Sequence, residues 1–217
     1  MLLPEYSAIF VHIHKTAGQS MERVFLDSLH KTSVLDGSQY LLRPNNDPTK
    51  GHERLAHLTA EEYVKYKYVS KKEFESFYKF SLVRNPWARV FSFYKFRGFN
   101  GLIPFNRFVN EYLPLYFEKE HWFFRLQADF IYNAKNELVV NYVGKFENLD
   151  QDFKKIASAL TLEFTKLPRE NSSKKNTLLT KKSFNLWKKH PEIITKLRIL
   201  KPTEDYTKNL YTKKQKR

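Results

Sequence analysis

Three apolar runs of strand length punctuate the chain, and each hands over to a segment with helical spacing. The first, AIFVHI (Ala8 to Ile13), is continuous rather than alternating, which predicts a strand buried on both faces of a parallel sheet. GQSMERVFLDSLHK follows, with Met21, Val24, Phe25 and Leu29 on one face of a helix that opens at Gly18. The second run, YKFSLV (Tyr78 to Val83), leads into RNPWARVFSFYKFRG, where Pro86 suits a first helical turn and Gly98 a helix end. The third, ELVVNYVGKF, precedes the helix NLDQDFKKIASAL. Between them, residues 32–51 read as a long loop, Thr59 and Glu62 have capping-box spacing ahead of a helix, and FNRFVNEYL reads as a short helix. A basic polar loop over 165–182 and a helix near 183–200 close the pattern. Strands alternating with helices, undivided by repeat or linker, predict an α/β fold: one domain over residues 1–217, with a central parallel sheet flanked by helices.

Composition narrows the chemistry. The chain has no cysteine, so disulfides and thiolate metal sites are excluded, and no histidine spacing suggests another metal site. Pro4 and Glu5 interrupt the first apolar run, and no run approaches the roughly 20 residues of a membrane span. The expectation is a soluble, cytoplasmic protein, or a luminal enzyme whose anchor lies outside this sequence. The net charge of +15 is uneven: the last 57 residues hold sixteen basic against five acidic side chains, and YTKKQKR reads as a frayed tail. A field of this sign attracts phosphates, sulfates, acidic glycans or nucleic acid without choosing among them.

The choice comes from where the strands end. At the carboxyl end of the first strand stand His14, Lys15, Thr16, Ala17, Gly18, Gln19 and Ser20. Small residues let backbone amides approach an anion, the helix N-terminus adds positive partial charge, and Lys15 adds a full one. The lysine precedes the glycine, so this is not the Walker loop of an ATP or GTP site. The second strand repeats the device: Arg84 stands at its end, with Ser92 on the following helix, and a guanidinium with a hydroxyl is good phosphate chemistry. Two anion sites at two strand ends suggest a ligand phosphorylated at both of its ends.

FVHIHKTAGQS resembles the 5′-phosphosulfate loop, of HIPKTGGTS type, in sulfotransferases that use 3′-phosphoadenosine 5′-phosphosulfate (PAPS). LVRNPWARVFSFY resembles the same family's 3′-phosphate motif, RNPxxRxxSxY. The nearest branch is the carbohydrate group, of heparan 2-O and chondroitin sulfotransferase type with bacterial relatives, and HLTAEEY, YVGKFENLDQDF, LPRENSS and EDYTKNLY echo it in order. The resemblance implies a P-loop-NTPase-like sulfotransferase fold and sulfuryl transfer from PAPS, without metal, to a hydroxyl of a carbohydrate or glycolipid. The basic surface would suit an acidic acceptor and is compatible with peripheral membrane contact. Lys15 would contact the leaving phosphate and the sulfuryl group. The amides of Thr16, Ala17, Gly18, Gln19 and Ser20, with the Thr16 and Ser20 hydroxyls, would hold the 5′-phosphate, and Arg84 and Ser92 the 3′-phosphate. Ser173 and Lys174, in the hydroxyl-rich loop with Asn171 and Ser172, would close over the nucleotide. His14 and Ala17 depart from the motif, which has proline and glycine there. Alanine fits if its φ is negative, whereas His14 would loosen the turn and place a titratable group beside the anion.

An attacking hydroxyl must lose a proton, and a placed base contributes roughly 10²–10⁴ in rate. His57, which opens HLTAEEY, is the leading candidate, His52 the next and His14 the third. His12 reads as structural and His30, His121 and His190 as peripheral. Gln127 is assigned to the acceptor cleft, Glu147 and Asn148 to a helix start, and Trp87, Phe91, Phe93 and Tyr94 mostly to the core. A nucleic-acid-binding module and a nucleotide kinase of related fold are the competing readings. The first lacks RNP and helix-turn-helix patterns, so no nucleic-acid partner is expected, and the second lacks the Walker glycines.

Overall fold

The computed structural model describes residues 1–118, 123, 125–163 and 166–168. Ser173, Lys174, their loop and the helix expected near 183–200 lie outside the described residues, as do His121 and His190.

Four strands form one sheet in the order β1-β2-β3-β4. β2 (Ala8–Val11), β3 (Tyr78–Val83) and β4 (Tyr142–Lys145) run parallel, in the register Phe10 opposite Phe80 and Ser81 opposite Val143. The short β1 (Leu2–Leu3) adds an antiparallel edge that the sequence pattern did not reveal. The apolar run Ala8 to Ile13 leaves the ladder after Val11, and only Tyr142–Lys145 of the third run pairs within the sheet. Leu138, upstream, bridges to Tyr132 instead.

Continuous apolar strands need cover on both sides, and both sides receive it. Phe10, Phe80 and Leu82 face α1 (Gly18–Ser28) and pack with Met21, Val24 and Phe25. Ile9, Val11 and Val83 face the opposite way. The short helix α2 (Ser33–Asp36), capped by Thr32, lies within the expected loop. α3 (Ala60–Lys65) starts with the expected Thr59–Glu62 capping box and packs Tyr63 beneath Ile9 and Val11. α4 (Lys71–Ser76), unforeseen, is capped the same way by Ser70 and Glu73.

α5 (Pro86–Phe96) follows β3, with Asn85 as N-cap and Gly98 beyond its end at φ 75. Its apolar side joins an aromatic cluster with α6 (Phe105–Arg107) and α7 (Leu113–Glu118). One wide π-turn, Phe108–Tyr112, separates those helices just before Pro114, whose nitrogen cannot donate to a helical ladder. α8 (Gln127–Ile131) buries Phe130 and Ile131 in the Tyr63 side of the core. α9 (Leu149–Ala159) returns to the α1 side with Phe153 and Ile156. Among the described residues, no helix is long and apolar enough to cross a membrane.

Candidate active site

Parallel strands deliver their carboxyl ends to one edge, and ligands of open α/β sheets bind there. Ser81 Oγ donates to Val11 O at 2.7 Å, stitching β3 to the end of β2. Beyond that stitch the chain turns twice into a helix, at His12–Ala17 before α1 and at Arg84–Asn85 before α5.

The first turn is held tightly. Thr16 Oγ1 donates to Ile13 O at 2.6 Å and Arg89 Nε to His14 O at 3.1 Å. Thr16 thus spends its one hydroxyl proton on the turn and has only its backbone amide to offer an anion. Two non-glycine residues take positive φ, Lys15 at 63° and Ala17 at 75°. The condition under which alanine would fit without strain, a negative φ, is not met at Ala17, where the chain reverses into α1. A left-handed L-residue costs roughly 1–2 kcal/mol. α1 begins without a side-chain cap and without an acidic residue in its first turn, so its own first turn does not offset the partial positive charge of the helix N-terminus. Ser20 is buried in this first turn and Gln19 is exposed.

Lys15 lies beside Arg84, whose Nη1 donates to Lys15 O at 3.1 Å. The lysine ammonium rests 3.9 Å from the centroid of Phe96. Burial first, and the Arg84 charge second, lower the Lys15 pKa from its ordinary value. Two crowded cations are relieved by an anion placed between them. Arg84 stacks its guanidinium 4.0 Å above Phe146, and its buried Nε has no hydrogen-bond partner among the described residues. A buried charged donor without an acceptor is costly unless a ligand completes it. Ser92 lies half-buried on α5.

Four histidines gather beside the cradle. His12 Nδ1 donates to Glu22 Oε1 at 2.8 Å, and its ring closes against Gly18, confirming a structural role. The His57 ring is 4.3 Å from that of His12 and 3.9 Å from that of His14. His57 Nδ1 lies 3.0 Å from His12 O. A carbonyl only accepts, so Nδ1 carries the proton and Nε2 is the basic nitrogen. His52 is arranged the other way: Nε2 donates to His57 O at 3.1 Å, and Nδ1 accepts from the Arg54 amide at 3.3 Å. Its lone pair is already committed to backbone. Burial lowers the pKa of His57 and of His14 well below the ordinary histidine value, with the neighbouring imidazoles adding to it.

His14, expected to place a titratable group beside an anion and to loosen the turn, turns its ring inward. Its ring is 1% exposed and packs against His57, Phe123 and Phe130, while Arg89 stiffens the turn it was expected to loosen. Arg89, missed as a contributor, sends its buried guanidinium to the carbonyls of His14, Phe123 and Arg125. Only its place in the motif singled it out. Gln127 does not line an acceptor cleft, since both ends of its amide pair with the Arg84 backbone. Glu147 organises a helix start, but that of α5: it accepts the Asn85 amide at 2.6 Å. Among the described residues, no three His, Asp or Glu side chains are placed to share a metal ion.

The turn before α1 thus brings Lys15 against the half-buried Arg84, with His57 alongside. The chain belongs to the sulfotransferase family, whose model matches residues 1–213, and its chemistry is sulfuryl transfer. It is also 31% identical over 102 residues to an uncharacterized protein of Archaeoglobus fulgidus, covering 43% of this chain and 76% of that protein. No solved structure matches with significance.

Proposed function

We propose that this sulfotransferase takes its sulfuryl group from PAPS and delivers it to a hydroxyl of a carbohydrate or glycolipid, with His57 as general base. The observation that carries the donor reading is the Arg84–Lys15 junction, where two anion sites at neighbouring strand ends share a 3.1 Å hydrogen bond. The unsatisfied Arg84 Nε fits a second phosphate distant from the transferring group, which PAPS has and ATP lacks at that place. The amides of Thr16 to Ser20 would hold the 5′-phosphate, and Arg84 with Ser92 the 3′-phosphate.

The bound donor supplies a sulfuryl group on a phosphate leaving group. Transfer is an in-line displacement in which positioning and cations dominate. Lys15 offsets the charge gathering on the departing phosphate oxygen, helped by the N-terminus of α1. His57 Nε2 takes the acceptor proton, and the His12 carbonyl steadies the imidazolium through Nδ1–H. His52 is the weaker candidate because its lone pair is held by the Arg54 amide.

Thermal shift with adenosine 3′,5′-bisphosphate, ATP and a DNA oligonucleotide tests the donor. The bisphosphate should stabilise most, and stabilisation by ATP or DNA without it would overturn the reading in favour of a kinase or a nucleic-acid module. Labelled-sulfate transfer to a panel of glycans and glycolipids tests the acceptor class. His57→Ala should abolish transfer while bisphosphate binding survives, and near-normal turnover would move the assignment to His52.

A further inference from the structure

The Arg84 guanidinium can be held in readiness only if the backbone carrying it is fixed, and nothing within RNPWARVFS does that at Arg84 itself. The support comes from two distant segments. Gln127, 1% exposed at the start of α8, accepts the Arg84 amide on Oε1 at 2.9 Å and donates from Nε2 to the Arg84 carbonyl at 2.9 Å. One amide orientation satisfies both bonds, so the side chain acts like one rung of a β-ladder laid against the end of β3. From the end of β4, Phe146 supplies the face on which the guanidinium lies, and Glu147 accepts the next amide, that of Asn85.

We infer that Gln127 and Phe146 are positioning residues that set selectivity for a 3′-phosphorylated nucleotide. They hold the Arg84 elbow and its guanidinium plane so that the unbonded Nε meets that phosphate. Gln127 holds the Arg84 backbone and Phe146 its guanidinium, and this elbow meets the 5′-phosphate turn through the Arg84 Nη1 bond to Lys15 O. The consequence is selective: loosening the elbow weakens recognition of the 3′-phosphate far more than that of the 5′-phosphate, since the first turn keeps its own Thr16 and Arg89 bonds. The inference rests on the PAPS reading and deepens it.

The experiment compares the Kd of adenosine 3′,5′-bisphosphate with that of adenosine 5′-phosphate in the full chain. Gln127→Met keeps the shape of the side chain and removes both hydrogen bonds. Phe146→Leu leaves the backbone pairing alone and removes the stacking face, and it serves as the independent test if Gln127→Met does not fold. Each variant should lower the wild-type preference for the bisphosphate by about tenfold, the scale of one hydrogen bond to a charged group, with the Kd of the 5′-phosphate changed less than about twofold. A folded variant that keeps the wild-type ratio, or weakens both ligands equally, overturns the inference. Wild-type protein that binds both ligands alike overturns the donor reading and the inference together.

Discussion

Gly18→Ala tests the packing of His12 between the start of α1 and His57. A Cβ at position 18 would lie 1.6 Å from His12 Nε2 and 2.0 Å from Cε1, so the imidazole has to leave. That ring is buried, donates to Glu22 at 2.8 Å, stacks on Phe10 and touches His57. Losing a buried hydrogen bond to a carboxylate costs about 1.5–3 kcal/mol, and forced repacking about 1–3 kcal/mol. Alanine's better helix propensity returns up to about 1 kcal/mol. The net expectation is a loss of about 3 kcal/mol, read in urea as a midpoint lower by about 1 M or more. The decisive measurement is the same substitution in a His12→Ala background. With the ring gone, Gly18→Ala should be neutral or slightly stabilising, giving a coupling energy of about 3 kcal/mol across the cycle. An equal loss in both backgrounds would show that the clash is not the cause.

Lys15→Ala should lower kcat/KM by about 10²–10³ while the melting temperature moves only a few degrees, since the ammonium's contact with Phe96 is worth about 0.5–1 kcal/mol. An unchanged rate would remove Lys15 from the mechanism. Ala17→Gly relieves a left-handed alanine and, after the looser unfolded chain takes back part, should raise the melting temperature by about 2 °C. A lower melting temperature would count against strain at that position. Acid should destabilise the protein early. Below pH 6.5 the unfolded chain takes up protons that folded His14 and His57, whose pKa values are lowered, refuse. Stability is therefore fully present above pH 6.5 and falls below it, by at most about 1.4 kcal/mol per pH unit for each group. Denaturation midpoints that stay flat from pH 7.5 to 5.5 would contradict the burial of these rings.

What could be read from the sequence is what neighbouring residues determine. Strand runs, the Thr59–Glu62 cap, Pro86 and the two anion motifs each span a dozen residues or fewer, and their physics is local. What could not be read is long-range. Gln127 meets Arg84 across 43 positions and Arg89 meets His14 across 75, the second pair brought within reach by the parallel pairing of β2 with β3. Ala17 shows a subtler failure. Its identity left φ open, with alanine comfortable only if φ were negative, yet the turn keeps the left-handed conformation and the alanine bears the strain. The sequence ranked His57 ahead of His52 as a base without showing the protonation of either ring. The hydrogen bonds differ between the two rings: a carbonyl fixes the proton of His57 on Nδ1 and leaves Nε2 with the lone pair, whereas a backbone amide occupies the lone pair of His52. The same carbonyl belongs to His12, which opens the turn into the donor cradle. If the proposed donor site and base are right, they share one backbone support, and a change that shifts this turn should impair both donor binding and proton transfer.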